Sequence, residues 1–175
     1  MESSRVVWIT GLSGSGKSSL ATALVRHMRL EGGNVVLLDG DELRQVFCAD
    51  DSTNDKYNRE HRLALAMGYA RLCKLIAEQG FSVVIATISL FHEVHAWNRA
   101  NLPGYFEVYL KVPLDELRRR DPKGLYQRFD EGKLSNLVGM DLLIDEPESP
   151  HWTVDFSPEH SIDALSLKLK ELLSS

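Results

Sequence analysis

The first residues able to do chemistry lie between Gly11 and Ser19. Gly11-Leu12-Ser13-Gly14-Ser15-Gly16-Lys17-Ser18 fits G-x-x-x-x-G-K-[ST], the pattern of a phosphate-binding loop. Glycines let backbone N–H groups turn inward around an anion, and the start of a following helix adds partial positive charge. Gly11, Ser13, Gly14, Ser15, Gly16, Lys17, Ser18 and Ser19 are therefore expected to hold a nucleotide's phosphates. Lys17 would bridge the terminal phosphates and the Ser18 hydroxyl would ligate Mg²⁺. The bland alternative is a Gly/Ser-rich turn that happens to precede a helix.

A second chemical stretch is Asp39-Gly40-Asp41-Glu42-Leu43-Arg44. Gly40 allows a sharp turn after Asp39. Asp41 and Arg44 stand three residues apart, on one side of a starting helix. A carboxylate beside a phosphate loop can hold magnesium through water or accept the proton of an attacking hydroxyl. Asp41 would equally suit the first turn of a helix on dipole grounds alone.

These groups need a scaffold, and the hydrophobic pattern supplies one. Val6–Thr10 is apolar and β-prone, and Ser19–Leu30 has helical spacing without Gly or Pro, the strand–loop–helix setting that the motif requires. Further strands are expected at Asn34–Leu38, Phe81–Ala86, Tyr105–Val112 and Trp152–Phe156. Helices are expected from Glu42 to Phe47, Arg59 to Gln79, His92 to Asn101 and Leu114 to Arg120. The last runs from Ser161, as N-cap, to Leu173. Leu63, Ala66, Met67, Ala70, Cys73, Ile76 and Ala77 form one apolar stripe on the second of these. Ala49–Asn58 is polar and aperiodic, a loop, and Asp121–Pro150 is charged and punctuated by Gly and Pro. Alternating strands and helices predict an α/β fold with a parallel five-stranded sheet covered on both faces. Ligands of such sheets bind outside the carboxyl ends of the strands, where the phosphate loop, Asp39–Asp41 and Thr87–Ser89 all fall.

The 175 residues fit one domain spanning 1–175. A net charge of −5 gives no sequence-independent grip on nucleic acid, so no nucleic-acid partner is expected. Cys48 and Cys73 form no CxxC pair and read as reduced thiols. His92-Glu93-Val94-His95 lacks the i, i+4 histidine spacing of a zinc motif. Trp97 and Tyr69 read as packing residues. Met1–Arg5 leads straight into the first strand and no apolar run spans a bilayer. No membrane partner is expected, and the cytoplasm is the expected compartment.

Beyond the two stretches, the chain resembles the adenylylsulfate (APS) kinase family of P-loop phosphotransferases. The resemblance is carried by Ile9–Ser18, Leu38–Arg44 (LDGDxxR), Thr87-Ile88-Ser89-Leu90, Arg120–Tyr126 (RDPKGLY), Asn136–Asp141 (NxxGxD) and Glu146-Pro147-Glu148. It implies a P-loop NTPase fold of the nucleotide-kinase type with a mobile lid at about 118–150. The implied activity moves the γ-phosphoryl of MgATP to a ribose 3′-hydroxyl of a small-molecule nucleotide. By the same resemblance Asp41 is the general base, Asp39 a metal-water or hydroxyl contact, and Arg44 the holder of the acceptor's anionic tail. Ile88, Ser89, Lys123, Gly124 and Leu125 would line the acceptor site. A homodimer is left open by the same likeness.

Departures from the family pattern gather on the acceptor side. Where the family has D-R-x-E-N-I-R-R, this chain reads His61-Arg62-Leu63-Ala64-Leu65-Ala66-Met67-Gly68. Arg62 keeps the first arginine, and Arg59, one turn earlier, could substitute for a lost one. The family's NFTG reads Asn136-Leu137-Val138-Gly139. A lost stacking ring is worth about 1–3 kcal/mol, enough to change the preferred base. Some APS-kinase-like proteins act on cytidine diphosphoramidate, so the resemblance implies as acceptor a cytidine diphosphate-linked compound such as cytidine diphosphoramidate, with adenylyl sulfate the alternative. A GTPase would need N-K-x-D, which is absent; shikimate- or gluconate-type kinases and a catalytically inert nucleotide-binding partner are the remaining classes.

Overall fold

The computed structural model describes residues 4–47 and 58–174. Its sheet has five strands: β1 (Val6–Gly11), β2 (Val35–Asp39), β3 (Ser82–Ala86), β4 (Phe106–Lys111) and β5 (Trp152–Asp155). The order is β2-β3-β1-β4-β5, and every pairing is parallel. The central β1 is apolar on both faces because both are covered. Val6 and Trp8 enter one core cluster, Val7 and Ile9 the other, and all four are fully buried.

Among the described residues seven helices connect and cover the strands: α1 (Lys17–Leu30), α2 (Gly40–Phe47), α3 (Arg59–Ala77), α4 (His92–Asn101), α5 (Leu114–Arg120), α6 (Leu125–Asp130) and α7 (Ile162–Ser174). Leu20, Ala21, Leu24 and Val25 of α1 pack with Leu169 of α7 on one sheet face. Ala66, Tyr69, Ala70, Cys73 and Ala77 of α3 pack with Val94 of α4 and Leu43 of α2 on the other. Tyr69 adds to the stripe read from the sequence, where Leu63, Met67 and Ile76 are only partly buried. Cys73 sits inside this core, and burial pushes its thiol up to about 12, so it stays protonated.

Element boundaries carry three corrections. Helix α2 opens at Gly40, two residues earlier than expected, because Asp39 Oδ1 accepts the Asp41 N–H at 2.8 Å and caps the turn. Asn58 is no loop residue but the N-cap of α3, accepting from His61 N at 2.9 Å. Helix α6 was not foreseen; six residues are too few to show periodicity. At the carboxyl end, Ser161 Oγ accepts from Ala164 N at 3.1 Å and caps α7 as expected. Cys48 and the rest of the 49–58 loop lie outside the described residues.

A third, smaller apolar cluster sits apart from the sheet. Leu117, Tyr126 and Leu137 are buried there among Leu12, Leu114, Leu125, Phe129, Leu134 and Met140. The segment expected as a lid thus has a core of its own, and Leu12 of the phosphate loop is part of it. Among the described residues no helix is long and apolar enough to cross a membrane.

Candidate active site

The phosphate loop runs from the end of β1 into α1 and is built by close approach. Gly11 (φ 151°) lies so near β4 that a Cβ would stand 2.7 Å from Leu110 O and 2.8 Å from Ser15 Oγ. Only glycine fits there. Gly16, at φ 98°, ends the loop as the residue before α1. Lys17 begins the helix, is buried, and donates to Leu12 O at 2.7 Å. Burial pulls its pKa down to about 8, against the pull of Asp41 in the other direction. An ammonium held so dry is poised for an anion. Ser18 and Ser19, one step along α1, are exposed at the loop's mouth.

The ends of β2 and β3 supply the facing wall. Ser18 Oγ donates to Asp39 Oδ2 at 2.5 Å, so a hydroxyl and a carboxylate share one point. These are hard oxygen donors of the kind magnesium takes, and magnesium keeps several waters and phosphate oxygens rather than an all-protein cage. Among the described residues no group of three or more His, Cys, Asp or Glu could hold a metal ion. Gly40 turns α2 against β3: a Cβ would meet Thr87 Oγ1 at 3.0 Å and Ala86 O at 3.2 Å. Asp41 follows, half-exposed, with its carboxylate hydrogen-bonded by Lys123 Nζ and 3.9 Å from Arg44. Burial alone would raise the Asp41 pKa, but the Lys123 hydrogen bond and charge, with Arg44 and Lys17, bring it below the ordinary value.

Arg62 lies beside Arg44 without a carboxylate partner among the described residues, its guanidinium 5.8 Å from the Phe91 ring centre. Desolvation first, and Arg44 second, lower its pKa to about 10. Arg59 is committed elsewhere, to Asp145 at 2.9 Å and Glu93 at 3.1 Å, and its guanidinium also lies over the Phe91 ring, 5.3 Å from its centre. Ile88 is half-buried and Ser89 buried. The loop is pinned by Thr10 Oγ1 donating to Ile88 O and by Thr87 Oγ1 and Ser89 Oγ at 2.8 Å.

RDPKGLY is the connector between α5 and α6. Asp121 accepts from Tyr126 N at 3.2 Å and Gln127 N at 2.9 Å, capping α6. Gly124 precedes α6 at φ 62°, and Leu125 opens the helix against the lid cluster. The turn carries Lys123 out to Asp41, while Tyr126 OH donates to Ser13 O at 3.0 Å and Arg120 to Gly14 O at 3.3 Å. Arg120 also stacks over Phe156 at 4.9 Å. Arg118 and Arg119 turn instead to Asp130 and Glu116. Asn136–Asp141 closes a small loop in which Asp141 accepts the Asn136 and Leu137 N–H groups at 2.8 and 2.6 Å. Leu137 is buried in the third apolar cluster, with Leu117 and Tyr126.

The adenylylsulphate kinase family model matches residues 3–155. The chain belongs to the adenylylsulphate kinase family. Within this family it is 38% identical over 144 residues to the cytidine diphosphoramidate kinase of Campylobacter jejuni, covering 82% of each chain. It is also 38% identical over 152 residues to the adenylyl-sulfate kinase of Pseudomonas aeruginosa, covering 86% of this chain and 76% of that one. The Mycobacterium tuberculosis APS kinase CysC, solved in complex with AMPPNP and APS, superposes with a TM-score of 0.88 at 33% identity over 98% of both chains. The α/β, P-loop kinase fold expected from the sequence is thus the fold of an adenylylsulphate kinase family member.

Tyr126, Arg120, Phe91 and Asp145 escaped the sequence reading of this family site. Tyr126 and Arg120 lay within RDPKGLY, the one signal that could have drawn attention to them. Phe91 and Asp145 carried none.

Proposed function

We propose that this ATP-dependent kinase transfers the γ-phosphoryl group to the ribose 3′-hydroxyl of a cytidine diphosphate-linked acceptor such as cytidine diphosphoramidate. The observation that carries the reaction type is Asp41. It is an ionised, half-exposed carboxylate that interacts with buried Lys17 across the mouth of the phosphate loop. Asp41 takes the proton as the 3′-oxygen bonds to the γ-phosphorus; the bond to the bridging oxygen breaks and ADP leaves.

Lys17 and the loop N–H groups hold the terminal phosphates, with Lys17 regaining its full charge as they arrive. Ser18 and, through water, Asp39 are the residues that would hold magnesium, which when bound offsets the phosphates' negative charge. Arg44 and Arg62, adjacent and repelling one another, suit an acceptor with a phosphate group. Lys123 must leave Asp41 before that carboxylate can act, and the acceptor's phosphate is the competing anion that draws it away. Motion of the 118–150 segment would bring this about and exclude water from the transfer.

The cytidine-linked acceptor is supported by the Campylobacter jejuni relative and by Leu65, Met67, Gly68 and Leu137 at positions where the APS pattern has Asn, Arg, Arg and Phe. Adenylyl sulfate is the second reading, favoured by the Pseudomonas aeruginosa relative. A coupled assay of ADP release decides between them. Cytidine diphosphoramidate is expected to give a kcat/KM at least roughly tenfold above that of adenylyl sulfate. Efficient turnover of adenylyl sulfate with none of cytidine compounds would sink the choice of acceptor.

A further inference from the structure

Beneath the acceptor loop lies a buried polar pair that the transfer chemistry does not use. His95 on α4 and Glu107 on β4 are 5% and 0% exposed, and His95 Nδ1 stands 3.5 Å from Glu107 Oε1. On its other side the ring meets the Ser89 carbonyl, with Nε2 3.1 Å from the oxygen. Ser89 is one of three described non-glycine residues at positive φ, at 26°. A serine held there is strained and stays only where its surroundings insist. Its carbonyl accepts twice, from Phe91 N at 3.1 Å and from the His95 ring.

The chemistry of these atoms settles the tautomer. A carbonyl oxygen only accepts, so His95 Nε2 must carry a hydrogen. Burial holds the imidazole down to about 4, so the ring is neutral at pH 7 and Nδ1 presents a lone pair to Glu107. His95 Nδ1 and Glu107 Oε1 have no hydrogen-bond partner and face each other across 3.5 Å in a dry core. Burial raises the Glu107 pKa, while Arg99 holds the other carboxyl oxygen at 2.7 Å. The Glu107 N–H itself is tied to His151 Nδ1 at 2.9 Å, so the pair is anchored to the sheet.

We propose that His95, backed by buried Glu107 and hydrogen-bonded to the Ser89 carbonyl, is a positioning residue for the acceptor site. It holds the Ser89 carbonyl, and with it Phe91, the ring against which Arg62 lies. The inference rests on reading Thr87–Leu90 as the acceptor-side wall.

Two variants test it. His95→Leu removes the donor; His95→Gln keeps an N–H at the Nε2 position. His95→Leu is expected to raise the acceptor KM by roughly tenfold or more while the ATP KM moves less than about twofold, and His95→Gln to restore most of the loss. An unchanged acceptor KM in folded His95→Leu overturns the proposal. So does an equal rise in both KM values with a lowered Tm that glutamine does not repair. Two readouts need no acceptor. The ¹⁵N spectrum of the wild-type ring at pH 7 is expected to show the proton on Nε2, and a bare Nε2 contradicts the proposal. Hydrogen exchange at the Phe91 amide is expected to speed up by about tenfold or more in His95→Leu, and unaltered exchange refutes the role. If no cytidine or adenylyl acceptor is turned over by the wild type, the functional reading fails, while these two readouts still decide what His95 does.

Discussion

At the scale of single residues, the site stores its readiness in Lys17. The residue is 9% exposed and its pKa is drawn from 10.5 to about 8, mainly by desolvation. Between those values the unfolded chain binds more protons than the folded one, so this lysine's penalty is full below pH 8 and fades as pH rises toward 10.5. The penalty is on the order of 3 kcal/mol. In the nucleotide-free protein, Lys17→Met is therefore expected to raise stability to urea at pH 7, and its advantage over the wild type to shrink between pH 8 and 10.5. A variant less stable than wild type at pH 7 would contradict this. Lys17, Ser18 and Asp41 were legible because their spacing along the chain is itself the motif. His95 and Glu107 were not. Their pairing joins α4 to β4, and no spacing encodes which buried histidine a buried glutamate will meet.

At the scale of elements, strands and long helices were legible to within a residue or two, since burial on both sheet faces writes itself into apolar runs. The stretch from Asp121 to Pro150 was legible only as a departure from that pattern. Its order comes from local devices: Asp121 capping α6, Asp141 capping the Asn136–Leu137 turn, and Gly139, where a Cβ would stand 2.9 Å from the Leu12 methyls. Together α5, the RDPKGLY turn and α6 deliver Lys123 to Asp41. This contact sets a pH dependence. With Lys123 in place Asp41 titrates below the ordinary carboxylate range. In Lys123→Ala the raising effect of burial is opposed only by Arg44 and Lys17. The acid limb of kcat/KM for the acceptor is expected to move to higher pH in Lys123→Ala, checked by a pH–rate profile at acceptor concentrations well below KM, where the acceptor-free enzyme with Lys123 on Asp41 is what titrates. An acid limb that stays where it is would remove Lys123 from the control of Asp41.

At the scale of the molecule, the strand order β2-β3-β1-β4-β5 brings three separated stretches to one edge. The β1 end gives the phosphate loop, the β2 end gives Asp39 and Asp41, and the β3 end gives Thr87–Ser89. Parallel pairing makes this necessary, because every strand's carboxyl end points the same way. The connector between α5 and α6 reaches that edge and fastens to the phosphate loop through Tyr126 and Arg120. Reaction class was thus readable from sequence, since it depends on these strand ends. The acceptor's base was harder, because it depends on what is missing at Leu65 and Leu137 and on which of two neighbouring arginines is free. Arg59 is occupied by Glu93 and Asp145, while Arg62 lies beside Arg44 with no carboxylate partner among the described residues, so Arg62 is the one proposed to meet the acceptor. The most direct measurement is the ³¹P NMR spectrum of the product formed from MgATP and cytidine diphosphoramidate. The account predicts a new phosphomonoester resonance coupled to the ribose 3′ proton of the cytidine compound. Release of ADP and inorganic phosphate alone, with the same resonance arising only from adenylyl sulfate, would contradict it.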